Sequence, residues 1–325
     1  MNTLGQSAAI TDLAEEDIWA VISTTSQKKG VGTWYFAGID KALNDVAVAW
    51  VYSWKPRDLY INPPIGVQYV PMIWNAADVT KTKLEEAKST GSPVLLGFNE
   101  PDRPEQANMT VGQALILWPQ LEATGLELCS PATSDNPSTS GSWQERFFAG
   151  AKARNMRIDK LCVHWYGTNF DPKQATAQLK IFLMAAYEKY RLPIWMTEFA
   201  LTRWLDYSNG YYMAKYPSAA IQAEFVHQAS AMMEALPFLE RYAWFSLSLY
   251  FRSRNDTSHL YLGDGTATCV GEAYRAILKS SNPAPEPSQP SAPPPPPVQD
   301  SSSYTSFGTT FIIITFIVIT FISIT

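Results

Sequence analysis

Between Lys29 and about Ser280 the chain alternates two patterns. Short apolar runs of strand length recur, and between them apolar residues return every three or four positions. The runs are GVGTWYF (30–36), VAVAWVYSW (46–54), VQYVPMIW (67–74), PVLLGFN (93–99), LELCSPA (126–132), DKLCVHWY (159–166), LPIWMTE (192–198) and RYAWFSLS (241–248). Runs of this kind predict buried strands, and the periodic stretches predict amphipathic helices over 110–125, 143–155, 176–190 and 219–239. Eight strands alternating with helices over roughly 250 residues predict an α/β chain folded as a (β/α)8 TIM barrel. A doubly wound sheet is the alternative. It requires a glycine-rich phosphate turn after its first strand. Gly30 and Gly32 lack that spacing and the helix that should follow.

The flanks break both patterns. Residues 1–28 form a polar extension with a short helix expected around DLAEEDIWAVIS (12–23). No Lys or Arg precedes Lys28 and no long apolar run follows the start, so no signal peptide is recognised. Residues 281–306 are rich in Pro and Ser and predict an extended linker without a core. Residues 307–325 are a hydrophobic tail. Its last fifteen residues, FIIITFIVITFISIT, carry no charge. They fall short of the roughly 20 apolar residues of a bilayer span, and their Ile, Val and Thr favour strand over helix. The serines at 301–303, a polar spacer and the apolar end resemble a GPI-anchor signal. That reading places the protein outside the cell or on its wall, attached to a membrane. A low-complexity tail without a targeting role is the other reading.

Composition narrows the function. The net charge is −5 and no basic run interrupts it, which argues against nucleic acid as a partner. Eleven Trp and sixteen Tyr supply flat rings for a core or a binding cleft. The cysteines number three, Cys129, Cys162 and Cys269. Cys129 and Cys162 fall in predicted strands and are expected as buried free thiols, with one pairing left open. Their spacing fits no zinc site, and no metal or organic cofactor is expected.

Two carboxylates carry the chemistry. Glu100 closes the fourth predicted strand and Glu198 the seventh, each behind a small polar residue, Asn99 and Thr197. Barrel active sites lie at the C-terminal ends of strands. Strands four and seven face each other there, so two glutamates can flank one glycosidic bond. One must keep its proton and the other must stay ionised. His164 and Tyr166, two apart on strand six, are candidate partners for the ionised one. Tyr52 and Trp54, on one face of strand two, together with Trp74 and Trp244, are candidate sugar platforms. Asn169 and Arg203 are candidates for outer sugars. Trp34, Trp165 and Trp195 are expected to pack against the helices.

The ordered set KGVGTWYF, WVYSWKP, VPMIW, LLGFNEPD, SPATS, CVHWYG, WMTEFA and WFS resembles glycoside hydrolase family 128 over about residues 29–280. The resemblance implies a retaining β-1,3-glucanase on a (β/α)8 barrel. It implies Glu100 as acid/base and Glu198 as nucleophile, with Asn99 matching the asparagine that usually precedes the acid/base. The expected partner is a β-glucan polysaccharide or oligosaccharide, and a monomer is expected. Two other readings remain at this level: a barrel glycosidase acting on β-1,4-glucan or mannan, and a glucan-binding barrel without catalysis.

Overall fold

The structure, a computed structural model, describes residues 26–208, 211–249 and 255–277. All of them belong to one compact unit, Met1–Glu286. The helix expected within 12–23, the linker and the tail lie outside the described residues. Among the described residues no helix is long and apolar enough to cross a membrane.

The strands are β1 (Lys29–Gly32), β2 (Trp50–Tyr52), β3 (Gln68–Tyr69), β4 (Val94–Leu96), β5 (Glu127–Cys129), β6 (Leu161–Gly167), β7 (Ile194–Leu201), β8 (Arg203–Ser208), β9 (Tyr211–Lys215) and β10 (Leu239–Trp244). The helices are α1 (Ile39–Asp45), α2 (Lys81–Lys88), α3 (Val111–Glu122), α4 (Trp143–Lys152), α5 (Pro172–Tyr190), α6 (Ala219–Glu234) and α7 (Cys269–Arg275). Their starts are written in the sequence. Thr80, Thr110, Ser142, Asp171, Ser218 and Thr268 each accept a backbone N–H of the first turn. Thr110 and Gln113 complete a capping box, and Pro172 opens α5 with its φ already helical.

One parallel sheet runs β3-β2-β1-β10-β7-β6, and β4 pairs with β5. Parallel bridges Met72–Leu96 and Cys129–Lys160 join these two pieces, so eight strands, β1–β7 and β10, close into a barrel. The hairpin β8–β9 is an insertion after β7 that the sequence pattern does not predict.

Three apolar clusters fill the fold. One lies between β1, β6, β7, β10 and the helices α1, α5, α6 and α7. A second joins β4 and β5 to α3 and α4. The third is the barrel interior, with Trp50, Tyr52, Met72, Leu96, Cys129, Cys162, Trp195 and Ala243. Two glycines make that interior possible. A Cβ on Gly30 would stand 2.2 Å from the Trp50 indole, and one on Gly32 would stand 2.8 Å from Trp54.

Two expectations are corrected here. Cys129 and Cys162 are not free thiols: they form a disulfide with a Cα–Cα distance of 5.5 Å, tying β5 to β6 inside the barrel. Trp195 does not pack on the helices. It lies inside the barrel against Trp50, with Arg241 over its ring at 4.5 Å. Trp165 does face the helices, stacked on Phe225 of α6.

Candidate active site

Glu100 and Glu198 reach the mouth by different backbone devices. Beyond β4, the Asn99 amide donates to Trp74 O at 2.9 Å, and the Glu100 amide donates to Ala132 O at 2.7 Å. Glu100 itself has φ +42°, a left-handed conformation uncommon outside glycine. The next turn holds it there. Arg103 N donates to Glu100 O, and the Asp102 carboxylate accepts from Ser134 N, Ser134 Oγ and Asp135 N. On β7 the device is a bulge. Cys162 pairs with Trp195, yet His164 pairs with Glu198, so β7 spends three residues where β6 spends two. Without that extra residue Glu198 would alternate to the outer face. The bulge re-aims it inward.

The two acids meet across His164. Its Nδ1 lies 2.9 Å from Glu100 Oε1, and its Nε2 lies 3.5 Å from Glu198 Oε1. One oxygen from each carboxyl and one ring nitrogen lie within 4.8 Å of one another. Glu198 is also gripped by two donors: Trp54 Nε1 at 2.8 Å on Oε1 and the Tyr166 hydroxyl at 2.5 Å on Oε2.

Protonation follows the surroundings. Burial pushes Glu100 above the ordinary carboxylate range. The hydrogen bond and charge of His164 oppose the rise, and the charges of Glu198 and Asp102 add to it. Burial alone would lower His164, but the charge of Glu198 and the bond to Glu100 outweigh it and hold the imidazole up. Tyr166 is pushed far above its usual value by burial and then by Glu198, so it remains a donor.

Several expected site residues stand at the mouth. Trp54 is half-buried, with φ +57°, and its ring stacks on Trp34 at 5.9 Å. Trp74 is half-buried beside it in the chain order of strand ends. Asn99 is buried, its Nδ2 on Gln106 at 3.3 Å and its Oδ1 without a partner. Tyr52 and Trp244 do not stand there. Tyr52 is wholly buried under Trp54, its hydroxyl on Thr197 O, and it presents no face to a ligand. Trp244 is wholly buried among Phe199, Phe225 and Tyr274, its Nε1 on Ser258 O. Tyr242 and Trp244 share the outer face of β10, while Ala243 faces the interior. Asn169 bonds Gln174 and Asp171 N at the start of α5, which ties it to that turn. Arg203 opens β8 and is exposed.

The residues that sequence reasoning misses are Phe245 and Trp34. Phe245 lies one place beyond Trp244 and meets Trp34, Trp54, Tyr166 and Trp204 within 6.5 Å between ring centroids. Trp34 does not pack against the helices as expected. It continues the inward phase of Gly30 and Gly32, a spacing readable from those glycines.

Glu100, His164 and Glu198 could each offer one ligand atom to a metal ion. Both oxygens of Glu198 accept N–H or O–H donors, and both ring nitrogens of His164 face carboxylates. The arrangement suits proton transfer and nucleophilic attack at a single centre.

Residues 34–274 match the family model for the glycosyl hydrolase catalytic core. The chain is 47% identical to a family 128 (subgroup I) endo-β-1,3-glucanase from Amycolatopsis mediterranei, solved with laminarihexaose. The match covers 77% of this chain and 99% of that one, with a TM-score of 0.71. A subgroup III curdlan-specific exo-β-1,3-glucanase from Blastomyces gilchristii, solved with glucose, matches at 27% identity over 77% of this chain and 98% of that one, with a TM-score of 0.58. Alkali-sensitive linkage protein 1 of Schizosaccharomyces pombe is 26% identical over 264 residues, 78% of this chain. The chain spans about half of that relative's length, 45%.

Proposed function

Because the chain belongs to the glycosyl hydrolase catalytic core and to glycoside hydrolase family 128, we propose that it is a retaining endo-β-1,3-glucanase. The observation that carries this reading is the pair of carboxyls with oxygens within 4.8 Å of each other. Retaining enzymes keep the two groups about 5–5.5 Å apart, and inverting ones leave about 6.5–9.5 Å for a water between them. The mode of cleavage follows the subgroup I relative, named an endo enzyme.

The roles divide by environment. Glu100, raised by burial, holds a proton and delivers it to the glycosidic oxygen. Glu198, held by Trp54 and Tyr166, attacks the anomeric carbon and forms a glycosyl ester. The C–O bond to the leaving sugar breaks as its oxygen takes the proton. Glu100, now ionised, draws a proton from water, which attacks the anomeric carbon, breaks its bond to the Glu198 oxygen and releases a β-configured product with Glu198 restored as carboxylate. The unpartnered Oδ1 of buried Asn99 is a ready acceptor for a sugar hydroxyl beside Glu100.

In this reading residues 29–280 are the catalytic domain, acting as a monomer, and the Pro/Ser-rich segment is a stalk. The Cys129–Cys162 bridge supports an extracellular or wall-side setting, since structural disulfides persist in oxidising compartments. Attachment through the tail is part of the same proposal.

The test is a digest of laminarin, cellulose and mannan, with products sized and the first-formed anomer read by NMR. Internal cleavage of laminarin with an initial β-anomer is expected. An initial α-anomer would overturn retention, and cleavage confined to cellulose or mannan would overturn the linkage.

A further inference from the structure

The bulge on β7 leaves one residue out of the ladder. On the β6 side Met196 stands opposite Val163 and Glu198 opposite His164, so Thr197 has no partner residue. On the β10 side Met196 stands opposite Tyr242 and the next pairing is Phe199 with Trp244, so Thr197 is passed over again. Thr197 is buried, and a buried carbonyl displaced from the ladder needs a donor from elsewhere. That donor comes from across the barrel. The Tyr52 hydroxyl donates to Thr197 O at 2.8 Å. Tyr52 lies on β2, which β1 and β10 separate from β7 in the sheet. The same side chain supports a second element of the site. Its ring centroid lies 4.8 Å from that of Trp54, and Trp54 Nε1 donates to Glu198 Oε1 at 2.8 Å. Gly32 clears the space for both rings, since a Cβ there would stand 2.8 Å from Trp54 and 3.2 Å from Tyr52.

We propose that Tyr52 is the positioning residue of the nucleophile: it fixes the bulged peptide behind Glu198 and the indole that holds its carboxyl, and so sets the line of attack on the anomeric carbon. The inference rests on the glucanase reading with Glu198 as nucleophile, and it adds a residue that touches no sugar. Tyr52 is wholly buried, its ring closed in by Trp50 at 5.8 Å and by Trp54. Burial, and after it the charges of Glu198 and Glu100, push the phenol well above its ordinary range, so the hydroxyl stays a donor. Rate depends steeply on the alignment of reacting atoms, so a residue that never meets the substrate can still govern the attack.

The test uses the full chain. Tyr52→Phe removes the hydroxyl and keeps the ring packed against Trp50 and Trp54, and Tyr52→Leu removes the ring as well. On laminarihexaose Tyr52→Phe should lower kcat roughly tenfold and Tyr52→Leu roughly a hundredfold, with KM little changed. The loss in kcat/KM should be as large on dinitrophenyl β-laminaribioside, whose leaving group needs no proton from Glu100. Glu198→Gly should be nearly inactive on that aryl glycoside until azide is added, azide then attacking the anomeric carbon as dinitrophenolate leaves. Adding Tyr52→Phe to Glu198→Gly should leave the azide-driven rate unchanged, since no carboxyl remains to be positioned. An equal loss with and without Glu198, or a lower melting temperature with kcat per folded molecule intact, overturns the proposal. Crystal structures of the wild type and Tyr52→Phe give a second readout that needs no turnover. The Thr197 carbonyl and the Glu198 carboxyl should be displaced in the variant, and an unmoved carboxyl overturns the proposal. If Glu198→Gly keeps the wild-type rate without azide, the nucleophile assignment falls, while a displaced carboxyl still shows Tyr52 holding Glu198.

Discussion

The two ends of the barrel both concentrate charged and aromatic side chains, and they organise them in opposite ways. At the N-terminal floor, opposite charges are paired and laid on rings. Lys160 bridges Glu127 and Glu240 at 3.1 and 2.8 Å, and Trp195 Nε1 donates to Glu240. Arg241 lies over Trp50 and Trp195 and bonds Gln68. Lys28 and Lys29 cap the carbonyl ends of α6 and α7. At the C-terminal mouth, like charges converge. Glu100 and Glu198 share one histidine, with Asp102 close enough to raise Glu100 further. Floor charges neutralise one another and hold strand ends to helix ends. Mouth charges are kept in conflict, which in the proposed mechanism separates the acid from the nucleophile. The contrast locates chemistry better than aromatic content does, since both ends are rich in tryptophan.

The largest effect should come from the mouth. Glu100→Gln and Glu198→Gln each remove the charge conflict and should cut laminarin hydrolysis by about 10²–10⁴ or more. Melting temperature should change little, because Gln keeps the side-chain volume and an oxygen that can still accept the neighbouring donors. Turnover near wild type in either variant would break the division between the two ends.

Next comes Trp244, which sits at the mouth end of β10 yet belongs to the core. Trp244→Ala should cost about 3–5 kcal/mol of folding stability. Turnover per folded molecule should change little by comparison. A loss of turnover at unaltered melting temperature would restore this ring to the site and blur the comparison.

Trp244 also shows where the sequence stops being legible. Strand order, the two glutamates, His164 and Tyr166 can be read because acids at strand ends and residues two apart need only the strand period. Phase is harder. A parallel barrel strand is buried on both faces, so polarity does not say which residues point inward. The pattern therefore exchanges Trp244 and Phe245, one place apart, and puts Tyr52 in contact with sugar when it lies beneath Trp54. The bulge at β7 puts Trp195 and Glu198 on the same face at a spacing of three, which no two-residue period contains. The Cys129–Cys162 bridge depends on neighbouring strands whose register the sequence does not state.

The floor makes its own prediction. Lys29 is wholly buried, its Nζ on Tyr274 O and Ile277 O, and burial pushes the ammonium from 10.5 down to about 7. Between those values the unfolded chain binds a proton that the folded chain does not, so stability rises with pH there. Each tenfold difference in proton affinity is worth about 1.4 kcal/mol, so the rise amounts to a few kcal/mol. Lys29→Met should flatten that rise in urea unfolding measured from pH 7 to 10. An equally steep rise in the variant would show that the floor holds no such buried charge.

The smallest effect tests how the mouth sets its acid. His164 lowers Glu100 through a hydrogen bond and a positive charge, against the stronger upward push of burial. His164→Asn removes the charge and keeps a side chain able to bond Glu100. The proton on Glu100 should then be held more tightly, and the alkaline limb of kcat/KM should move to higher pH. The rate itself should fall, because the Nε2 contact 3.5 Å from Glu198 is lost as well. The two consequences separate in a pH–rate profile, where one is a displacement along the axis and the other a drop in the plateau. A limb that vanished would belong to the imidazole and not to Glu100. A limb displaced to lower pH would mean that His164 sustains the protonated acid, reversing the sign of the coupling between the two.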